Sequence, residues 1–364
     1  MILPAAAGLL VAAQPTLATS NASKNSPARY PSSVPGEAAA AGNQSAVAGG
    51  ALFGGNVPLI REAPRLGRSL AIIRIYAHIG DTFPGANRHF LAAGSTALVS
   101  LDSNGTSYSA IAAGLDDRAI TSFLESVDQA AIQYQLPAIY VSFEHEPDNS
   151  EHSPLGTPGQ FVQAWDHVHH LAEAGHLDWK AGGRLHWIWI LLHSAFAKGR
   201  ASQFWPGTNE VAGIGVDGYN SLGCKPATGR WNVGPPQTPS AIFNPAIRFA
   251  ESKGGLPVFI SEWGSNNLGL ADTQPAFIRQ MQSYVTHNRE IAAALYWDSS
   301  GPTCSYILGN PASLAAIAAM ARSSALQGRI TTPLRWRGTW PMSPVAARHW
   351  AHRFYAIVSI PSRA

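Results

Sequence analysis

The sequence predicts an α/β fold, a (β/α)8 TIM barrel forming a single domain. Between about Leu52 and Leu326, short apolar runs alternate with longer stretches of helical periodicity, which is the pattern of successive βα units around a parallel sheet. Several of these runs are unbroken Val, Ile, Leu or Trp, as strands covered on both faces must be. Seven or eight strands in about 275 residues fit a barrel better than an open doubly wound sheet. No glycine-rich phosphate loop follows any strand, and Gly182-Gly183 and Gly254-Gly255 precede strands instead, as helix-to-strand turns. Nucleotide cofactors are therefore not expected, and the sequence implies no other cofactor.

The elements follow in chain order. Ile2–Ala13 is an uncharged apolar run, and Thr16-Leu17-Ala18 after it is a small-x-small sequence that a signal peptidase can cut. Residues 1–18 are expected to be a signal peptide and the protein to be secreted, although the first charge, Lys24, follows the apolar run instead of preceding it. Twelve apolar residues are too few to cross a bilayer, and no membrane span is expected. Residues 19–50, rich in Ser, Ala, Asn, Pro and Gly, read as a flexible linker.

Residues 51–328 hold the expected barrel. Its strand candidates are Leu70–Tyr76, Thr96–Leu101, Ala138–Phe143, Leu185–Leu192, Ala212–Gly218, Pro257–Ser261 and Ala292–Trp297, with a weaker eighth near Ser109–Ala113. Helical patterns cover Asp117–Tyr134, Pro158–Ala174, Pro239–Ser252, Gln274–Asn288 and Ser313–Ala325. Pro158 and Pro239 fall in a first turn, where proline loses no hydrogen bond. Residues 329–364 form a basic tail that also carries Trp336, Trp340, Trp350 and Phe354.

Composition narrows the function classes. Hydrophobic residues make up 46% of the 364 residues and charged ones 13%, against roughly 25% in an ordinary globular protein. The net charge is +3, yet six arginines lie in the tail and no acid follows Asp298. Without those six the body has 19 basic and 22 acidic residues, a balance of −3. With five lysines and no basic helix, nucleic acid is not an expected partner, and a monomer is expected.

A barrel carries its chemistry at the carboxyl ends of its strands. Glu144-His145-Glu146-Pro147-Asp148 follows Ala138–Phe143, and Pro257–Ser261 runs into Glu262-Trp263-Gly264. Tyr219-Asn220 and Tyr296-Trp297-Asp298 end two more strands. Glu146 and Glu262 can face each other across the mouth as the two carboxyls of glycoside hydrolysis, one protonating the leaving oxygen and the other attacking carbon or activating water.

Phe204-Trp205-Pro206-Gly207, Val211 and Gly215-Val216-Asp217-Gly218-Tyr219-Asn220 resemble the segment into and through the sixth strand of glycoside hydrolase family 26. His145-Glu146 is similar to that family's fourth-strand His-Glu pair, Glu262-Trp263-Gly264 to its seventh-strand nucleophile motif, and Trp187-Ile188-Trp189 to its fifth-strand Trp-x-Trp. The likeness covers roughly Phe53 to Ala325. That family consists mostly of retaining β-mannanases on (β/α)8 barrels. The resemblance implies that Glu146 is the acid/base and Glu262 the nucleophile. It further implies that Tyr219 hydrogen-bonds the nucleophile, that His145 orients the acid or contacts substrate, and that Trp297 forms a stacking floor for the sugar. Aromatic faces suit the apolar C–H faces of pyranose rings.

Three features depart from the family, one being that Pro147-Asp148-Asn149 follows the pair in place of the common Met/Phe-Asn-Gly. Ser142 stands where an Arg usually precedes the acid by four residues, and Glu144 puts a third carboxyl beside the pair, with the same strand parity as Glu146. Trp189, Trp263 and His193 are candidate substrate contacts, Asp217 is either a strand-end binder or structural, and His78 and Asp81 are expected to be structural or solvated. His167, His169 and His170 lack metal-helix spacing and are expected on a solvated helix face, and no metal site is expected. Cys224 and Cys304 follow the sixth and eighth strands and are expected to form a disulfide on the catalytic rim.

The expected activity is retaining, endo-acting hydrolysis of a β-linked polysaccharide, β-1,4-mannan first. β-1,3-Xylan, mixed-linkage glucan or another glycan on the same fold is an alternative, as is a barrel that binds glycan without turnover.

Overall fold

A computed structural model describes residues 47–224, 237–267, 273–301 and 303–330. The expected signal peptide, most of the linker and the tail beyond 330 lie outside the described residues. The strands are β1 (Val47–Gly50), β2 (Leu52–Asn56), β3 (Ile72–His78), β4 (Thr96–Asp102), β5 (Ile139–Phe143), β6 (Leu185–Leu192), β7 (Gly213–Asn220), β8 (Val258–Ser265), β9 (Ile291–Tyr296) and β10 (Leu326–Ile330). Strands β2 to β9 pair in parallel, each with the next, and β9 pairs with β2 to close an eight-stranded ring. β1 and β10 form an antiparallel ribbon, joined to β2 through Gln327 and Leu52 at the end of the barrel away from the carboxyl ends of its strands. Val47–Gly50, read as the end of the linker, are therefore a strand.

Alternation sorts the side chains into two layers. Leu52, Ile72, Leu98, Tyr140, Ile188, Ile190, Phe259 and Leu295 fill the barrel interior. Their neighbours, such as Ile73, Val99, Val141, Trp187, Val258 and Ala294, pack outward in the larger core that includes the helices. Helices Asp117–Gln133, Pro158–Ala174, Pro239–Ser252, Thr273–His287 and Pro311–Ala321 lie close to the expected spans. Thr157 opens one of them with a reciprocal capping box to Gln160, and Pro158 occupies the first turn.

One strand assignment is corrected. The segment near Ser109–Ala113 is the short helix Tyr108–Ala112, capped by Ser107. The remaining strand is β2, Leu-Phe-Gly-Gly-Asn, whose glycines hide its β signal. They are needed there: a Cβ on Gly54 would lie 2.0 Å from the Ile72 carbonyl oxygen.

Candidate active site

At the carboxyl ends of the strands, β3 sends Ile72, Arg74, Tyr76 and His78 along one face. Arg74 is buried beneath the mouth, with Nη1 donating to Ser100 Oγ at 2.8 Å. Its guanidinium lies 4.5 Å from the centre of the Tyr76 ring. Ser142, at the family's usual Arg position, pairs in register with Ser100, so the cation beneath this mouth comes from β3.

Glu262 is aimed inward by a β-bulge. Val216 pairs with Ile260 but Asp217 pairs with Glu262, so Ser261 is the extra residue and the alternation of β8 resets there. Bulges beside active sites commonly re-aim a side chain in this way. The Tyr219 hydroxyl donates to Glu262 Oε2, the Tyr76 hydroxyl donates to Oε1, and Arg74 Nε lies 3.5 Å from Oε1. Burial first and the Glu262 charge next push the Tyr219 phenol well up, which keeps it a donor.

Glu146 lies just past β5, where the backbone leaves the strand. Glu144 and Glu146 both have left-handed φ, 47° and 55°. Such φ values are costly for residues other than Gly, and they cluster at functional sites. These turns separate two carboxyls that share parity in the sequence. Glu144 is buried and accepts from Ser103 N at 2.8 Å. Glu146 Oε2 accepts from Asn149 Nδ2 at 3.1 Å and belongs to a trio with Asp217 and Glu262. One oxygen from each of these three lies within 4.8 Å of the others. Burial, followed by the Glu262 charge, raises the Glu146 carboxyl to about 7. Asp217 is buried, accepts from Ser261 Oγ at 2.6 Å, and is pushed well up by burial and by the charges of Glu262 and Glu146.

The remaining candidates separate into mouth and core. His145 lies 5.3 Å from the Tyr76 ring, and burial with the nearby Arg74 charge keeps its imidazole neutral. Trp297 meets the Tyr76 ring edge-on at 5.6 Å, half-buried at the rim. His193 opens the short helix His193–Ala197, with its Cβ close to the outward side of Gly218. Trp189 and Trp263 are corrected from substrate contacts to core residues. Trp189 is fully buried against Phe196, Trp205 and Phe249 on the outside of the barrel. Trp263, turned outward by the bulge, is fully buried against Phe277 and Tyr296.

His169 is also corrected: it is buried, with Nδ1 2.7 Å from Glu210 and Nε2 3.5 Å from Asp178, while His167 bonds Asp117 and His170 is exposed. Arg74 and Tyr76 were missed as site residues because both sat inside or at the end of an apolar run. The signal was their alternation with Ile73 and Ile75. Cys224 and Cys304 are joined in a disulfide across the loops after β7 and β9, flanking β8 and Glu262.

No family model and no curated protein matches the sequence. Solved structures do match. The catalytic domain of a family 26 endo-β-1,4-mannanase from Bacillus sp. JAMB-750 superposes with a TM-score of 0.55 at 12% identity, over 78% of this chain and 89% of that one. A family 26 β-mannanase from Bacteroides ovatus gives 0.55 at 11% identity, over 81% and 95%. A family 26 protein from Muricauda sp. gives 0.54 at 13%, over 76% and 86%. The barrel is built like those of glycoside hydrolase family 26. At these identities the likeness concerns the fold.

Proposed function

We propose that this protein is a retaining, endo-acting glycoside hydrolase of β-linked polysaccharide, with β-1,4-mannan as its first substrate. The observation that carries this reading is the placement of Glu146 and Glu262, from different strands, with carboxyl oxygens within 4.8 Å. A retaining pair needs carboxyls about 5–5.5 Å apart, whereas an inverting pair leaves about 6.5–9.5 Å for a water molecule.

The two carboxyls have opposite environments, as the two roles require. Glu262, held by two phenol donors and facing Arg74, attacks the anomeric carbon. As the bond to the leaving oxygen breaks, Glu146 gives that oxygen its proton, leaving a glycosyl ester on Glu262. The negative charge that raised Glu146 is then gone, so Glu146 stays ionised and is available as the base. It takes a proton from water, the water oxygen bonds to the anomeric carbon, and Glu262 departs as a carboxylate. Trp297 and Tyr76 offer the sugar an aromatic wall, and His145 lies beside them as a neutral hydrogen-bonding group.

The mannan assignment draws on the motif resemblance and on the β-mannanases among the structural neighbours. The Cys224–Cys304 disulfide supports the accompanying inference that the protein works in an oxidising, exported setting.

The test is reducing-sugar release from β-mannan, β-1,3-xylan, mixed-linkage glucan and cellulose, with anomeric configuration followed by NMR. Release from mannan with retention, abolished in Glu262→Ala and reduced about 10²–10⁴-fold in Glu146→Ala, is expected. Inversion would overturn the mechanism. Release from another polymer would reassign the substrate, and binding without release would identify a non-catalytic barrel.

A further inference from the structure

We propose that Asp102, Glu144 and His152 form a binding site for one divalent metal ion of the zinc or manganese class, behind the acid/base. Asp102 ends β4, Glu144 follows β5, and His152 lies in the short 3-10 segment Ser150–Leu155. One ligand atom from each lies within 4.8 Å of the other two. Metal bonds of about 2.0–2.2 Å place neighbouring ligands up to about 4 Å apart, so small side-chain rotations close the cage.

Two further observations point to a cation. The first is a buried carboxylate oxygen without a donor. Glu144 is 1% exposed, and its Oε1 has no hydrogen-bond partner among the described residues. A carboxylate oxygen buried without a donor is one that a bound cation can satisfy. The Tyr108 hydroxyl is likewise buried and without a partner among the described residues.

The second observation is the orientation of the His152 ring. Its Nδ1 lies 2.9 Å from the Glu146 carbonyl oxygen. A carbonyl only accepts, so Nδ1 donates to it, and Nε2 is the ring nitrogen left to meet an ion. Metal-binding histidines are typically held this way, the second ring nitrogen donating to a carbonyl or carboxylate.

The donor set of one imidazole and two carboxylates favours zinc or manganese over calcium, which prefers oxygen ligands throughout. His169, Glu173 and Asp178 also lie within 4.8 Å of one another. There, however, each ring nitrogen of His169 faces a carboxylate, Glu210 on one side and Asp178 on the other, which is an ion-pair arrangement. An ion on Asp102, Glu144 and His152 would tie the ends of β4 and β5 to the 150–155 segment. Through His152 it would also hold the backbone carbonyl of Glu146, so these three are positioning residues for the acid/base.

The experiment uses the chelator-treated full chain, titrated calorimetrically with Zn²⁺ and separately with Ca²⁺, with bound metal counted by mass spectrometry and Tm recorded. One Zn²⁺ per chain is expected, bound more tightly than Ca²⁺, with Tm rising by roughly 5 °C at a hundredfold excess over Kd. Glu144→Gln and His152→Ala should each weaken zinc at least tenfold, while His169→Gln and Glu262→Gln leave it unchanged. Circular dichroism checks that the variants fold, and the partly exposed His152 carries the test if Glu144→Gln does not. Absence of zinc binding by the folded chain would overturn the proposal. Binding retained in His152→Ala, or lost in His169→Gln or Glu262→Gln, would place the ion elsewhere and overturn it equally.

Discussion

Glu146 and Glu262 carry the same functional group, and their surroundings divide the labour between them. Burial and the facing Glu262 charge raise Glu146 to about 7, so it holds its proton below that pH and loses it above. The acid must be protonated to assist departure of a poor leaving group, so kcat/KM on polymer should fall as pH rises through about 7. In Glu146→Gln, assayed on an aryl glycoside whose leaving group needs no proton, that alkaline limb should vanish. A pH–rate profile of both proteins checks this, and an unchanged limb in the variant would reassign the acid. Both glutamates were legible from the sequence, since each sits in a short motif directly after an apolar run. Tyr76 and Arg74 were not, because their role depends on facing Glu262 from a strand 186 positions away for Tyr76.

At the scale of the element, small residues and one irregularity shape the mouth. β7 reads Gly-Ile-Gly-Val-Asp-Gly-Tyr-Asn, and a Cβ on Gly215 would lie 2.4 Å from Ile190 Cγ1 and 3.0 Å from Ser261 Oγ. Gly215→Ala should therefore push β6 or β8 outward, lowering stability by about 1–3 kcal/mol through overpacking. It should also lower kcat by displacing Ser261 and the bulge that aims Glu262. Denaturant unfolding alongside single-substrate kinetics tests both, and a variant with unchanged stability would show that the interior has room to spare. The bulge also explains the misreading of Trp263. Regular alternation would put Trp263 on the face opposite Glu262, but sequence alone did not show which of the two faced inward. Trp189 fails as a substrate contact for a simpler reason: in β6 it alternates with Ile188 and Ile190, which fill the interior.

For the whole molecule, ring closure brings β9 back to β2, and the disulfide ties the rim on either side of β8. The two cysteines are 80 positions apart, and in the chain-entropy model such a cross-link stabilises by about 4 kcal/mol. The double variant Cys224→Ser/Cys304→Ser should melt roughly 10 °C lower by calorimetry. An unchanged Tm would mean that the two loops are already held by other contacts. The resemblance to family 26 motifs and the superposition on family 26 barrels agree on the architecture, one local in sequence and the other global in shape.

The sequence by itself determined the alternation of strands and helices, the helix starts marked by Pro158 and Pro239, and the two strand-end glutamates. These are local signals, set by periodicity, capping and composition, and need no knowledge of what lies across the barrel. The tertiary structure decided what depends on distant partners: β2 as the closing strand despite its glycines, and Arg74 and Tyr76 as companions of Glu262. It also turned Glu144 toward Asp102, away from the catalytic pair, and buried His169 between carboxylates from other segments. Side-chain direction follows alternation only where the strand is regular. At the bulge in β8 and the left-handed turns after β5, the fold overrides it.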